Sequence, residues 1–385
     1  MDIKIKIMCL LNKIIPKKAV ILFDSFPNIC DNSYALYEYI IKNRKDICRK
    51  YQLIWTKKGY VDLDKLNILP NTKVFEKKSF AGIWCFLRAQ YVISTHGFFR
   101  WVRSGKNQLQ INLWHGCGYK DVPPKDRGYR GDMTIVISDR YKSLYSDFFS
   151  LNQDSVHITG YPRNDILFQK STALKKLGIN KERYKKIILW MPTYRKAVQG
   201  HAGIDGRTDS FMSSNLSKEE CETLNKALSD RDFFLIAKLH PMESSTLDKM
   251  KGLSNIRSIT SQNLLEQGVQ LYELLADSDV LLSDYSSIVV DYLLLDKPVV
   301  MVLSDMDEYE KNRGFVFHPV ADYFPGPIIG DLTSLIHYFQ NADEIDLNWK
   351  YRRKEIKDKM HVYQDSGSAA RVADLIWGKT DNEVL

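Results

Sequence analysis

Short apolar, β-branched runs recur along most of the chain, each closed by a polar residue, Gly or Pro. In the first half they are KAVILFDSF, YQLIWTK, AQYVISTHG, QLQINLWHG, MTIVISD and DSVHITGYP. After a Lys-rich stretch come YKKIILWMPTYR, DFFLIAKLHP, SDVLLSDYSS and KPVVMVLSD. Runs of this kind suit strands of a parallel sheet buried on both faces. NSYALYEYIIKNRK and SSIVVDYLLLDK have the spacing of crossing helices, and MSSNLSKEECETLNKALSD opens on Ser and Asn cap candidates. The strands fall into two sets with a break near LFQKSTALKKLGINKERYKK, residues 167–186. The expectation is an α/β protein of two facing halves, residues 19–170 and 171–385, with the last helices crossing back.

Composition narrows the partners. The 385 residues carry a formal net charge of +8, which favours phosphorylated substrates, nucleic acid or an acidic membrane surface. The basic residues lie scattered in pairs such as Lys57-Lys58, Lys77-Lys78 and Lys175-Lys176. No basic helix or aromatic-interleaved basic stripe is present, so nucleic-acid binding is not expected. Cysteines at 9, 30, 48, 85, 117 and 221 form no CxxC and no metal-ligand spacing, which predicts reduced thiols and a cytoplasmic protein. No apolar run is long enough to span a membrane. Residues 1–18 carry Ile3, Ile7, Leu10, Leu11 and Ile14 at helical spacing with Lys4, Lys6 and Lys13 interleaved. Two readings of this segment stand: an amphipathic helix on a membrane surface, or a helix packed on its own domain.

In open α/β sheets, ligands bind beyond the carboxyl ends of strands, and the unusual polar residues gather at those ends. INLWHGCGYKD ends a strand in His115, followed by Gly116, Cys117 and Gly118. His115 either packs beside Trp114 or meets a substrate. MPTYR supplies Thr193 and Arg195, a phosphate grip or an ordinary turn. KLHP places His240 before a proline that holds it extended. In SDYSS, Asp284, Ser286 and Ser287 open a helix, either as an anion site or as simple caps. NRGFVF adds Arg313, for a second phosphate or an internal carboxylate. GYPRND, with Arg163 and Asn164, lies near the boundary, where hinge and ligand-contact readings compete.

Together LWHG, GYPRND, MPTYR, KLHP, SDYSSIVVDYLLLDKPVV and RGFVF…PGP, with the opening FDSFPNICDNSYALYEYI, resemble the CDP-glycerol glycerophosphotransferase family of teichoic acid primases and polymerases. The resemblance runs from about residue 20 to 330, and the length is similar to that of the primases. It implies a GT-B-like arrangement of two Rossmann-like domains facing across a cleft. It also implies transfer of glycerol phosphate from CDP-glycerol to a hydroxyl of a lipid-linked or polymeric glycan, releasing CMP. His115 then corresponds to the family's base and His240 to a support for the donor pyrophosphate. Thr193, Arg195, Asp284, Ser286, Ser287 and Arg313 fall on the donor side; Gly116, Gly118, Lys120, Arg163 and Asn164 fall on the acceptor side or the cleft. The two glycines leave room for substrate.

One departure stands out: where the family continues WHG with Thr-Pro-Leu-Lys, this chain has Cys117, Gly118 and Tyr119 before Lys120. That leaves a teichoic acid linkage unit and a capsular polysaccharide both open as acceptor, and CDP-ribitol open as donor. The expected location is the cytoplasmic face of the membrane, as a peripheral protein on anionic lipid. No metal site shows in the spacing, and Mg²⁺ enters only as an ion carried on substrate phosphates. The competing functions are a GT-B glycosyltransferase using a nucleotide sugar and a non-catalytic polymer-binding protein.

Overall fold

The computed structural model describes residues 3–99, 101–193, 216–238 and 248–379. The chain forms two compact units. The first comprises Met1–Gly116, Pro124–Phe168 and His361–Leu385; the second comprises Cys117–Pro123 and Gln169–Met360. The boundary near 168 agrees with the composition break, and the chain does return to the first unit near its end. The assignment of Cys117–Pro123 to the second unit departs from the sequence reading, which left these residues in the first half.

The first unit is built on seven parallel strands: β1 Lys18–Asp24, β2 Gln52–Lys57, β3 Lys73–Glu76, β4 Ala89–Ser94, β5 Leu109–Asn112, β6 Met133–Val136 and β7 Val156–Ile158. Their order is β3-β2-β1-β4-β5-β6-β7. The second unit repeats the scheme with β8 Lys186–Met191, β9 Phe233–Lys238, β10 Ile256–Ile259, β11 Val280–Ser283, β12 Val299–Val302 and β13 Ile328–Ile329. Its order is β10-β9-β8-β11-β12-β13, again all parallel. Each order reverses once, between β1 and β4 and between β8 and β11, which creates a crevice at those strand ends.

All ten apolar runs are strands. The three strands not foreseen, β3, β10 and β13, lie at sheet edges. An edge strand has one neighbour and less buried surface, so KVFE, IRSI and II need no long apolar run. Inner strands are mostly buried, and β6 and β12 are buried throughout. In the first unit Phe23 stacks on Trp55 at 5.2 Å and meets Tyr37 edge-on at 5.4 Å, joining β1 and β2 to the helix Asp31–Asn43. In the second, Ile188, Trp190, Leu235 and Leu282 of the sheet pack on Leu224 and Leu228 of the helix Lys218–Ser229. That helix starts in a capping box between Ser217 and Glu220. Residues 212–215 of the expected cap region lie outside the described residues. SSIVVDYLLLDK is less helical than its pattern predicts: an α-helix covers only Ile288–Tyr292, and a 3-10 turn follows at Leu293–Leu295.

The N-terminal segment is a helix packed on its own domain, with a row of apolar residues left exposed on the other face. In the helix Ile3–Ile14, Met8 and Leu11 pack against the cluster containing Phe86, Leu87, Phe98 and Val102. Buried Asn12 pins it, its Nδ2 donating to the Arg103 carbonyl at 2.9 Å and to Gln108 Oε1 at 2.7 Å. Ile3, Ile7, Leu10 and Ile14, spaced three or four apart, stay exposed on the other face. The last helix, Ser368–Trp377, is tied to the first unit by Asp165, whose carboxylate accepts from the backbone N–H of Ser368 at 2.9 Å and Ala369 at 2.8 Å.

Candidate active site

In the first unit, β5 delivers Leu113 to Gly116 into the crevice end of the sheet, and four successive backbone carbonyls there are held by side chains. Asn32 Nδ2 donates to the carbonyls of Leu113 (3.3 Å) and Trp114 (3.0 Å). Arg163 Nη1 donates to that of His115 at 3.0 Å, and the Tyr145 hydroxyl to that of Gly116 at 2.8 Å. The donors come from two helices and a 3-10 turn. Arg163 also pairs with Asp31 at 2.8 Å, and its backbone N–H donates to Asn32 Oδ1 at 3.1 Å. This support permits an unusual backbone. Trp114 has φ +53°, rarely adopted by a bulky side chain, and Gly116 has φ +135°, which glycine tolerates.

The imidazole of His115 is thereby fixed. Its Nδ1 lies 3.4 Å from the Thr95 carbonyl, an acceptor that favours the tautomer with the proton on Nδ1 and the lone pair on Nε2. The ring stacks on His96, with centroids 4.1 Å apart and planes 6° apart. His96 Nδ1 lies 2.8 Å from the Thr95 hydroxyl. Burial, first, and then the neighbouring His115 and the cations Arg130, Lys77 and Arg163 hold His96 well below the ordinary imidazole pKa, so it is neutral near pH 7. His96 ends β4 as His115 ends β5, each in a strand-end His-Gly pair. The sequence reading had that signal in STHG and did not use it.

In the second unit, Thr193 follows β8 and Asp284 follows β11, so both stand at the point where strand order reverses. The Thr193 backbone N–H donates to Asp284 Oδ2 at 2.9 Å and its hydroxyl to Asp284 Oδ1 at 2.5 Å. Lys120 Nζ donates to the same hydroxyl at 2.9 Å. Tyr119 to Asp121 form a short antiparallel ribbon with Gly314 to Val316, through Val316 N–H to the Tyr119 carbonyl (2.8 Å) and Asp121 N–H to the Gly314 carbonyl (3.1 Å). Ser287 precedes the first residue of its helix but makes no side-chain capping bond, and Ser286 Oγ is 3.5 Å from the Ile288 N–H. Side-chain capping therefore does not account for Ser287, while Ser286 makes only this long bond at the helix start. The helix is only five residues long, too short for the strong dipole its sequence suggested. Arg313 is half-buried at the end of the helix Met306–Asn312, and its buried Nε has no hydrogen-bond partner among the described residues.

The model of the CDP-glycerol:poly(glycerophosphate) glycerophosphotransferase family matches residues 7–378. The chain belongs to this family. Among similar proteins is a teichoic acid glycerol-phosphate transferase of Staphylococcus aureus, 26% identical, with 96% of this chain and 95% of the relative covered. A teichoic acid ribitol-phosphate primase of Bacillus spizizenii is 27% identical over 70% of each chain. A poly(glycerol phosphate) polymerase of Staphylococcus epidermidis is 25% identical over 94% of this chain, which spans 50% of the polymerase. A solved structure of the wall teichoic acid polymerase TagF, 23% identical, superposes with a TM-score of 0.78 over 97% of this chain and 92% of that one. The fold is GT-B-like, as the family resemblance implied.

Within this chain the candidate residues sort unevenly. His115, Gly116, Arg163 and Asn164 belong to the first unit; Gly118, Lys120, Thr193, Asp284, Ser286, Ser287 and Arg313 belong to the second. Arg195 and His240 lie outside the described residues. Arg163 and Asn164 are buried, at 5% and 2% exposure, so the GYPRND segment is a scaffold for the His115 loop, which neither the hinge nor the ligand-contact reading anticipated. Gly118 has a packing reason to be glycine. A Cβ there would lie 2.9 Å from Ser287 Cα, so its lack of a side chain lets the loop close on the SDYSS turn. Among the described residues, no three His, Cys, Asp or Glu side chains group as a metal site.

Proposed function

We propose that this chain transfers a polyol phosphate from a CDP-activated donor to a hydroxyl of a lipid-linked or polymeric cell-surface glycan. Glycerol phosphate is the leading cargo and ribitol phosphate the alternative, since relatives of both kinds are similar over most of the chain. The observation that carries the reading is the fixed His115 loop, with Nε2 as the basic nitrogen, in a chain that matches the family from residue 7 to 378.

In this reading His115 Nε2 takes the proton of the acceptor hydroxyl. The oxygen forms a bond to the phosphorus bearing the polyol, the P–O bond to CMP breaks, and CMP leaves with the electron pair. The second unit binds the donor and offsets charge on the leaving phosphate. The acceptor is a teichoic acid linkage unit or a capsular polysaccharide. Mg²⁺, where used, is carried in on the diphosphate.

The test is CMP release from CDP-glycerol and from CDP-ribitol with a lipid-linked disaccharide bearing one glycerol phosphate. Turnover with one donor fixes the reaction class and the polyol. Turnover of a nucleotide sugar, with neither CDP-polyol used, would establish a glycosyltransferase instead.

We assign the protein to an anionic membrane surface as a peripheral protein on the cytoplasmic face. The support is the exposed row Ile3, Ile7, Leu10 and Ile14, with Lys6 and Lys13 exposed beside it. Exposed Phe80 and Trp84 stand on the neighbouring helix Phe80–Arg88. Ile7→Glu with Leu10→Glu is expected to cut flotation with phosphatidylglycerol vesicles at least tenfold while soluble-acceptor turnover persists. Unchanged flotation would remove the assignment.

A further inference from the structure

We infer that Lys120 is a donor-phosphate residue of the second unit, although it follows the His115 motif in sequence. The inference rests on the CDP-polyol reading and adds a residue to its donor site.

The placement comes from covalent neighbours first. From Cys117 onward the chain belongs to the second unit until Pro123. Buried Tyr119 anchors that stretch, its hydroxyl donating to the Tyr323 carbonyl at 3.0 Å and its ring meeting Phe324 edge-on at 5.6 Å. Ribbon pairing with Gly314–Val316 fixes the backbone on either side of Lys120, and Gly118 fits closely against Ser287. The ammonium lies 5.9 Å from the Tyr309 ring centroid and hydrogen-bonds Thr193. Its position is therefore set by six points of one unit.

Charge gives the placement its meaning. Asp284, 3% exposed at the end of β11, puts a carboxylate three residues before Ser287. Such a site repels phosphate unless a cation offsets it. The chain Lys120–Thr193–Asp284 supplies that cation through one hydroxyl, which accepts from the ammonium and donates to the carboxylate. Thr193 and Asp284 are then positioning residues for Lys120, a different part from the direct donor contacts their motifs suggested. Lys120 supplies positive charge to the donor diphosphate, in company with Arg313, which precedes the ribbon.

The experiment uses the full chain and compares Lys120→Met, which keeps the apolar stem, with Lys120→Arg. Binding of CDP-glycerol, CDP-ribitol and cytidine is measured by calorimetry, together with KM for a lipid-linked glycan acceptor. Loss of a charge-assisted phosphate contact predicts about a 10- to 100-fold weaker CDP-polyol Kd in Lys120→Met. Cytidine, which has no phosphate, is expected to bind equally to both, acceptor KM is expected to stay within twofold, and Lys120→Arg recovers part of the loss. A melting temperature matching the parent excludes misfolding. Unchanged CDP-polyol affinity with raised acceptor KM overturns the inference and returns Lys120 to the acceptor. A parent protein that turns over a CDP-polyol separates that failure from failure of the donor reading, in which the parent binds neither CDP-polyol and both claims fall.

Discussion

The two units use one sheet plan and solve different problems at its crevice. In the first, a single imidazole is held by a frame in which four carbonyls and a ring face are all engaged. In the second, a carboxylate, a hydroxyl and an ammonium form a short chain of charge, completed by a segment from elsewhere in the sequence. A general base needs orientation to a fraction of an ångström, which buried donors to a strained backbone provide. An anion site needs net positive charge, which a lysine provides only where it is held. One topology can host both because strand ends fix the backbone and leave the loops to choose the chemistry.

The contrast is sharpest for His115. His115→Ala is expected to reduce turnover about 10²- to 10⁴-fold and to leave the calorimetric affinity for CDP-glycerol unchanged. A matching loss of donor affinity would erase the distinction between the units. Removing a support comes next. Arg163→Met leaves Asp31 without its ion-pair partner and the His115 carbonyl without a donor. A loss of about 3 kcal/mol in urea unfolding is expected, with turnover falling more than donor KM rises. Full stability and turnover in that variant would show the frame to be dispensable.

A smaller effect concerns pH. His96 resists protonation in the folded state, whereas the unfolded chain takes up that proton near pH 6.5. Its contribution to stability is full above about 6.5 and declines as pH falls below it. Asp165 works in the opposite sense. Burial raises its carboxyl to about 6, so its contribution is full below the ordinary 3.8 and is lost as pH rises through about 6. The melting temperature is therefore expected to drop from pH 7.5 to 6.2, where His96 has begun to act and Asp165 offers only partial relief. His96→Gln should flatten that drop, and an equal drop in the variant would point to another group.

Much of this was legible in the sequence, for identifiable reasons. Central strands announce themselves because both their faces must be apolar, and every such run is a strand. The edges β3, β10 and β13 are silent because half their surroundings are solvent. His115 stood out through its flanking glycines, and Gly116 does occupy a conformation suited to glycine. Gly118 is glycine for a different reason, the backbone of Ser287, which lies far away in sequence. The same distance hid the roles of Asn32, Tyr145 and Arg163, since a side chain that grips a carbonyl many residues away leaves no local periodicity. Lys120 follows the His115 motif in sequence but belongs to the second unit, a placement that rests on its distant partners Thr193 and Phe315 and so left no local signal.

That crossing segment also sets a timetable for synthesis. Cys117 and Tyr119, both fully buried in the finished protein, leave the ribosome well before Gly314–Val316 and Tyr323 exist to cover them. With partners roughly 200 residues downstream and elongation at about 5–20 residues per second, the wait is on the order of 10 to 40 seconds. During it a thiol and an aromatic ring stand uncovered on the nascent chain, long after β6 and β7 of the first sheet have been made. The second unit cannot be completed from its own contiguous stretch. A fragment beginning at Gln169 would retain β8 to β13 and lack Tyr119 and Lys120, leaving the Gly314–Val316 edge unpaired.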